Sequence, residues 1–298
     1  MTGFFKGTAT AMITPFLAEG GVNFDAFGKM IDYQIEGGTD VLVVLGTTGE
    51  AATMTEAEKD EVMRFTVERV KGRAKTVFGS GSNSTQKAIE ASIKAEKMGA
   101  DGLLVVTPYY NKCTQNGIYE YYKAVCGAVK IPVICYNVPP RTGVNILPAT
   151  MERLAEIPNM AGVKEACGNM EQICETMRRI RGKCDLYSGD DNLNLPILAI
   201  GGAGLISVAS NLVPAAVKQF YNAFVSGDLA EANRLQDKLL PVIDACFTEV
   251  NPIPAKAGMV MLGFDAGIPR GPLTELEDAH KKIMADALRT YGMKVVKA

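Results

Sequence analysis

A lysine stands at the end of a short apolar segment, in the run Met160-Ala-Gly-Val-Lys-Glu165. Burial disfavours the charged form of a lysine, which lowers its pKa and increases the fraction of neutral amine. A neutral amine can attack a ketone and form a Schiff base. Most lysines instead extend their ammonium group to solvent. Lys164 by itself is therefore weak evidence for this chemistry and needs support from other residues.

A tyrosine, Tyr136, ends the preceding apolar run, Ile131-Pro-Val-Ile-Cys-Tyr. A buried tyrosine can also be a packing residue whose hydroxyl needs only one partner. Adjacent barrel strands lie about 4.8 Å apart, so Tyr136 and Lys164 can face one pocket if their registers agree. A phenol in that position can transfer the protons that carbinolamine formation and dehydration require.

Three polar loops offer possible contacts to a substrate. Gly46–Glu50 is either a plain turn or a backbone-and-hydroxyl site for a carboxylate at the start of a helix. Tyr109 and Tyr110 follow Pro108, where exposed tyrosines can equally serve interface packing. Arg141 is either a surface charge or a bidentate ligand for a carboxylate.

Short apolar runs alternate with segments of helical periodicity, and these elements must position the polar residues. The eight runs are Thr8–Thr14, Val41–Leu45, Thr76–Gly79, Gly102–Thr107, Val133–Tyr136, Gly162–Lys164, Leu186–Ser188 and Gly204–Val208. This number of strand–helix units matches a closed parallel barrel, whose active sites lie at the C-terminal ends of the strands. An open doubly wound sheet normally has a glycine-rich loop after its first strand, where this chain has Ile13-Thr-Pro-Phe16. The sequence therefore predicts an α/β fold, a (β/α)₈ TIM barrel.

The strand pattern stops near residue 226. We expect residues 1–226 to form the catalytic barrel and residues 227–298 to form a C-terminal extension of three helices. The predicted helices are Asp228–Thr248, Pro254–Leu262 and Thr274–Tyr291, separated by turns rich in proline and glycine.

Composition excludes several classes of function. The 298 residues include 31 basic and 33 acidic ones, with no long run of like charge, so we expect neither nucleic-acid nor membrane binding. A single histidine, His280, argues against histidine-based zinc sites and catalytic triads, and we expect no metal. Seven cysteines without a CxxC motif, and an N-terminus without an apolar leader segment, indicate a cytoplasmic protein.

Five motifs in order resemble the dihydrodipicolinate synthases, which share the class I aldolase superfamily with N-acetylneuraminate lyase. The motifs are Gly46-Thr-Thr-Gly-Glu50, Pro108-Tyr-Tyr110, Tyr136-Asn-Val-Pro-x-Arg-Thr-Gly143, Gly162-Val-Lys-Glu165 and Ser188-Gly-Asp-Asp191. Each motif is short, but together they are very specific, and the resemblance covers essentially the whole chain.

The resemblance implies roles for four catalytic residues. Lys164 is expected to form the Schiff base with pyruvate, and Tyr136 to shuttle protons through the Thr47 hydroxyl to Tyr110. In the family this last tyrosine reaches in from the neighbouring subunit. The resemblance therefore implies a homo-oligomer, with a dimer as the smallest complete unit and a dimer of dimers as the expected assembly.

The resemblance also implies the substrates, pyruvate and L-aspartate 4-semialdehyde, on the pathway to diaminopimelate and lysine. Thr47 and Thr48 are expected to hold the pyruvate carboxylate, and Arg141 the carboxylate of the aldehyde. The backbone at Gly189 and Ile206 is expected to line the pocket. Because lysine itself serves as the covalent electron sink, no cofactor is expected.

Two alternatives remain open at this point. A sugar-acid aldolase such as N-acetylneuraminate lyase shares Lys164 and Tyr136, but as a group those enzymes lack an arginine at the position of Arg141. A non-catalytic ligand-binding barrel is the other alternative. The buried amine expected at Lys164 argues against this alternative, because a protein that only binds a ligand has no need of an amine in a desolvated pocket.

Members of the family that are regulated by lysine bind it at the dimer interface. The corresponding positions in this chain are Ala52, Glu56, Lys59, Asn83, Lys87 and Tyr109. The regulated pattern has an acid in place of Lys87 and histidines in place of Glu56 and Lys59. Because Lys87 repels an ammonium group of the effector, we expect weak inhibition by lysine or none.

Overall fold

The computed structural model describes residues 3–297. Its strands are β1 (Gly7–Ala11), β2 (Phe16–Leu17), β3 (Gly20–Val22), β4 (Val41–Val44), β5 (Lys75–Gly79), β6 (Gly102–Val106), β7 (Val133–Asn137), β8 (Met160–Glu165), β9 (Asp185–Ser188) and β10 (Gly204–Ser207). Strands β2 and β3 form a small antiparallel hairpin, and the other eight described strands close into a barrel in the order β1-β10-β9-β8-β7-β6-β5-β4. The predicted (β/α)₈ barrel is confirmed.

Helices follow the barrel strands and complete the chain. They are α1 (Phe24–Glu36), α2 (Glu56–Val70), α3 (Thr85–Lys97), α4 (Gln115–Ala128), α5 (Pro139–Thr142), α6 (Pro148–Leu154), α7 (Met170–Ile180), α8 (Asn194–Ala199), α9 (Pro214–Val225), α10 (Leu229–Ala245), α11 (Ile253–Met261) and α12 (Asp278–Tyr291). Within residues 3–297, no helix has both the length and the apolar character that a membrane span requires.

The barrel strands form where the sequence is continuously apolar, because a parallel strand is covered on both faces. All residues of β4 and β8 are buried, including the polar Lys164 and Glu165 at the end of β8. Helix α2 begins with a capping box, in which Thr55 and Glu58 exchange side-chain and backbone hydrogen bonds. Sequence and local structure agree at these elements.

Contact density divides the described chain into two compact units. The first contains residues 3–7 and Thr76–Ile206, and the second contains Thr8–Lys75 and residues 207–297. Strands β6 to β9 belong to the first unit, whereas β4 and helices α9 to α12 belong to the second. The functional division of the chain at residue 226 stays a prediction.

The three helices expected after residue 227 are present as α10, α11 and α12. The last of them begins at Asp278, four residues later than the predicted start at Thr274. The backbone of Glu277 is extended, with ψ 147°, and its N–H donates to the Glu249 carboxylate at 2.9 Å. The chain therefore enters this helix only after Glu277.

Candidate active site

Lys164 and Tyr136 lie side by side on neighbouring strands. They are direct partners in the register of β7 and β8, as a shared pocket requires. Lys164 is only 4% exposed, and its Nζ lies 4.4 Å from the centroid of the Tyr136 ring. This distance is within the range of a cation–π interaction when the amine is protonated.

The Lys164 amine is suited to nucleophilic attack near neutral pH. Burial lowers its pKa to about 8, because removal from water disfavours the ammonium form. The negative charge of Asp191 opposes this effect, and the positive charge of Arg141 adds to it. A substantial fraction of the amine is therefore neutral near physiological pH.

The Tyr136 phenol remains protonated under the same conditions. Burial raises its pKa to about 12; the Arg141 charge works against this, while Asp190 and Glu165 raise the pKa further. A protonated phenol beside an amine can donate a hydrogen bond and pass a proton to an oxygen bound at Lys164. The two groups thus offer a nucleophile and a proton donor in one place.

Gly189 approaches the Lys164 side chain closely. A Cβ atom at this position would lie 2.9 Å from both Cγ and Cε of Lys164, so a larger residue would displace the lysine side chain. The Gly189 N–H donates to the Glu165 carbonyl at 2.8 Å, which fixes the backbone beside the end of β8. Ile206 lies on β10 and is buried, and its neighbour Leu205 pairs with Ser188 of β9.

Arg141 follows Tyr136 by five residues and lies in the short helix α5. It is exposed, and its positive charge lowers the pKa of both Lys164 and Tyr136. Gly143 ends the helix in the left-handed region, with φ 69°, a conformation that glycine adopts without strain. The structure therefore brings Arg141 into the electrostatic environment of the lysine and the tyrosine.

The Gly46–Glu50 loop belongs to the second unit and follows β4. Thr47 is exposed, whereas Thr48 is buried and accepts a hydrogen bond from Asn251 Nδ2 at 2.9 Å. The loop leads into a 3₁₀ turn, Ala51–Thr53, before helix α2 begins at Glu56. The local reason is that Glu50 has a left-handed backbone, with φ 54°, which stops a regular helix from starting there.

The glutamate of this loop is held by a buried ion pair that sequence reasoning missed. Glu50 Oε1 lies 2.7 Å from Lys256 Nζ, and both side chains are almost completely buried. The other carboxylate oxygen accepts the backbone N–H of Arg270 at 2.8 Å. A lysine in an otherwise apolar helix, Ile253–Met261, is the sequence signal that could have indicated a buried partner.

Tyr110 and Tyr109 lie in the loop after β6. Tyr110 is 89% exposed, and its backbone is in the left-handed region, with φ 71°. A non-glycine residue rarely adopts this conformation unless its surroundings impose it. Tyr109 is about one-third exposed. Both rings are therefore accessible in the single chain.

The expected effector positions lie at helix starts and loops. Glu56 and Lys59 occupy the first turn of α2 and form an ion pair of 2.8 Å, and Ala52 lies in the preceding 3₁₀ turn. Lys87 is exposed in the first turn of α3, and the Asn83 carbonyl accepts from the Asn111 side chain at 3.4 Å.

One group of side chains has the composition of a metal site. Ligand atoms of Glu249, Glu277 and His280 lie within 4.8 Å of one another in the described residues. Glu249 already accepts from the Glu277 N–H at 2.9 Å and contacts His280 Nδ1 at 2.7 Å. These contacts among the three residues join the start of α12 to the segment after α10, and they explain why the three side chains lie close together.

Two buried polar residues directly follow Tyr136 and Lys164, and sequence reasoning did not single them out. Asn137 comes after Tyr136, and Glu165 comes after Lys164; they are register partners and are hydrogen-bonded to each other. Burial raises the pKa of Glu165, and the Asn137 hydrogen bonds oppose this. The signal for this pair was two polar residues that end two apolar strands.

Comparisons of the sequence and of the structure with known proteins all lead to one family. The model of the dihydrodipicolinate synthetase family matches residues 4–291. The 4-hydroxy-tetrahydrodipicolinate synthase of Caldicellulosiruptor bescii is 48% identical over 291 residues, 98% of each chain. The crystal structure of dihydrodipicolinate synthase from Aquifex aeolicus is 41% identical, with a TM-score of 0.96 over 98% of this chain and 100% of that one. The chloride-inhibited enzyme from Acinetobacter baumannii, solved with pyruvate, is 38% identical, with a TM-score of 0.95 over 97% of this chain and 99% of that one.

Proposed function

Because the chain belongs to the dihydrodipicolinate synthetase family, we propose that it is a 4-hydroxy-tetrahydrodipicolinate synthase acting in lysine and diaminopimelate biosynthesis. Its substrates are pyruvate and L-aspartate 4-semialdehyde. The observation that carries this proposal is the Lys164 amine, which is buried beside the Tyr136 phenol and has its pKa lowered to about 8.

The first half of the reaction activates pyruvate. The neutral Lys164 amine attacks the keto carbon and forms a carbinolamine, from which water leaves to give an imine. Tyr136 donates the proton that the departing oxygen needs, because its pKa of about 12 keeps the phenol protonated. Loss of a proton from the methyl group then converts the imine into an enamine.

The second half forms a carbon–carbon bond and releases the lysine. The enamine carbon attacks the aldehyde, whose oxygen takes up a proton and becomes a hydroxyl group, and the imine to Lys164 forms again. The amino group of the substrate then attacks the imine carbon and closes the ring, and the Lys164 amine leaves. The enzyme returns to its starting state without a cofactor.

Substrate carboxylates are assigned to the polar loops. Arg141 binds the carboxylate of the aldehyde, supported by its exposure and by its effect on the pKa of Lys164 and Tyr136. Thr47 and Thr48 bind the pyruvate carboxylate, and the backbone at Gly189 and Ile206 lines the site. These assignments rest on the family motifs.

We propose further that the active unit is at least a dimer, in a dimer of dimers, and that Tyr110 completes the site of a neighbouring subunit. Its 89% exposure on a left-handed backbone supports this role, since an interface gives such a ring a partner. None of the seven cysteines, all of which lie within residues 3–297, forms a disulfide, and this supports a location in the cytoplasm.

A competition assay tests the proposed function. The purified enzyme is given pyruvate with either L-aspartate 4-semialdehyde or N-acetylmannosamine, and product is followed in a coupled assay. Turnover of the semialdehyde alone supports the proposal. Turnover of the amino sugar identifies a sugar-acid aldolase, and binding of pyruvate without turnover of either aldehyde identifies a non-catalytic barrel; both results contradict the proposal.

A further inference from the structure

Asn137 is the last residue of β7 and has a completely buried side chain. It follows Tyr136 directly and precedes the segment 138–146, called here the Arg141 loop. Because successive residues of a strand point to opposite faces, Asn137 points away from the face that Tyr136 occupies. Its amide therefore takes no part in the proposed reaction, but it lies at the start of the loop that carries Arg141.

The Asn137 amide joins the two ends of the Arg141 loop. Its Oδ1 accepts the backbone N–H of Ile146 at 2.9 Å, and its Nδ2 donates to Asn145 Oδ1 at 2.9 Å. Within the loop, the Thr142 hydroxyl donates to the Val144 carbonyl at 3.0 Å. The loop thus leaves β7 at Asn137 and is bonded back to the same residue nine positions later.

A second layer of hydrogen bonds fixes the Asn137 amide itself. Its Nδ2 donates to Oε1 and Oε2 of Glu165 at 3.0 and 3.1 Å, and Glu165 Oε1 also accepts from the Cys167 N–H at 2.9 Å. On the outer side, Gln172 and Asn145 exchange two side-chain hydrogen bonds of 2.7 and 3.0 Å. Buried amides held on several sides adopt one orientation, which makes them accurate anchors.

We propose that Asn137 is a positioning residue for aldehyde specificity, which closes the Arg141 loop and so holds Arg141 where it meets the aldehyde's carboxylate. This inference rests on the proposed role of Arg141. Asn137 does not touch substrate in this account. It reduces the conformational freedom that Arg141 must lose on binding, and this reduction raises affinity for the carboxylate-bearing substrate.

The test is a double-mutant cycle with Asn137→Ala and Arg141→Ala. Arg141→Ala should raise the KM for L-aspartate 4-semialdehyde by roughly ten- to a hundredfold, the range for a lost charge-assisted pair. Asn137→Ala should raise the same KM by about three- to tenfold, and the double variant should match Arg141→Ala within about twofold. Borohydride should still trap pyruvate in all three variants, and the KM for pyruvate should remain unchanged in Asn137→Ala.

A second variant keeps the test usable if Asn137→Ala folds poorly. Gln172 is half-buried in the first turn of α7, where alanine preserves the helix, and it bonds to Asn145. Gln172→Ala should raise the KM for the semialdehyde by about two- to threefold, and this effect should also vanish when Arg141 is alanine.

Asn159 provides the matched control. Its Nδ2 donates to the carbonyls of Cys126, Val129 and Ile131 at 3.0, 3.0 and 3.3 Å, before the first residue of β8. Asn159→Ala removes a comparable set of amide hydrogen bonds at the other end of that strand. It should lower thermal stability without changing the KM for the semialdehyde.

The outcomes separate this inference from the function on which it rests. If Arg141→Ala does not change the KM for the semialdehyde, the role of Arg141 and the role of Asn137 are both wrong. If Arg141→Ala raises it but Asn137→Ala and Gln172→Ala do not, the inference alone is wrong. Effects that multiply in the double variant also overturn it, because Asn137 then acts independently of Arg141.

Discussion

Two of the lysines within residues 3–297 are buried, and they have different surroundings. Lys256 on α11 is completely buried, and its Nζ donates to Glu50 Oε1 at 2.7 Å and to the Ile268 carbonyl at 3.1 Å. Lys164 at the end of β8 is 4% exposed, and its Nζ lies 4.4 Å from the centroid of an aromatic ring. Its nearest aromatic contact is the Tyr136 ring.

Burial lowers the pKa of both lysines, but their partners differ. The pKa of Lys256 is also about 8: the charge of Glu50 and the hydrogen bond that Lys256 donates to it oppose the effect of burial without cancelling it, and the amine is held in an ion pair. At Lys164 the charge of Asp191 acts in that direction. The comparison shows that burial and a lowered pKa do not by themselves make a lysine a nucleophile: the Lys256 amine is occupied by the Glu50 carboxylate and the Ile268 carbonyl, whereas the Lys164 amine lies against the Tyr136 ring.

The largest expected effect on stability is at Lys256. Lys256→Met leaves the Glu50 carboxylate buried without its cation, which should reduce the free energy of unfolding by about 3–5 kcal/mol. The double variant Lys256→Met/Glu50→Leu should recover part of this loss, because no unpaired charge is left. Urea denaturation measures both. A loss below about 1 kcal/mol in the single variant would mean that Glu50 and Lys256 do not form a buried pair.

The dependence of the free energy of unfolding on pH tests the lowered pKa of Lys164. Its pKa is about 8 in the folded chain, against an ordinary value of 10.5 for a lysine in water. Between these pH values the unfolded chain binds more protons, so stability attributable to this residue rises with pH. The wild type should gain up to about 3 kcal/mol relative to Lys164→Met from pH 8 to pH 10.5. A difference between the two proteins that stays constant over this range contradicts the lowered pKa.

Subunit mixing tests whether the Lys164 site needs Tyr110 of a neighbouring subunit, whereas the Lys256 ion pair forms within one chain. Tyr110→Phe and Lys164→Ala are each expected to be inactive. After exchange in equal amounts, half of the dimers are hybrids with one of two sites intact, so about a quarter of wild-type activity should return. No recovery after verified exchange means that Tyr110 acts within its own chain or has no catalytic role.

The smallest expected effect is that of free lysine. Lys87 presents a positive charge where an effector ammonium needs a negative one, and Glu56 is already paired with Lys59. An initial-rate titration with L-lysine at sub-saturating pyruvate should therefore show weak inhibition or none. Inhibition at sub-millimolar lysine would contradict this reading of Lys87.

The barrel strands could be predicted because their residues are apolar throughout, and the long helices because their apolar residues recur with helical spacing. The short helices α5, α6 and α8 were not predicted. Helices α5 and α6 begin with proline in their first turn and span only 4 and 7 residues, too few for periodicity to be visible. The hairpin of β2 and β3 was missed for the same reason.

The pairing of Lys164 with Tyr136 followed from their positions at the ends of successive strands, and the observed register agrees with it. The partners of the polar side chains did not follow. Glu50 and Lys256 are 206 residues apart, and Thr48 and Asn251 are 203 apart. Such contacts depend on tertiary packing, and no local pattern in the sequence records them.

Borohydride trapping with peptide mapping tests the central claim most directly. The wild-type enzyme is incubated with pyruvate, reduced with sodium borohydride and digested, and the modified lysine is located by mass spectrometry. We predict one reduced pyruvate adduct per chain, on Lys164 and not on Lys256, with loss of activity, and no adduct in Lys164→Ala. An adduct on Lys256 or any other lysine, or none in the wild type, would contradict the account.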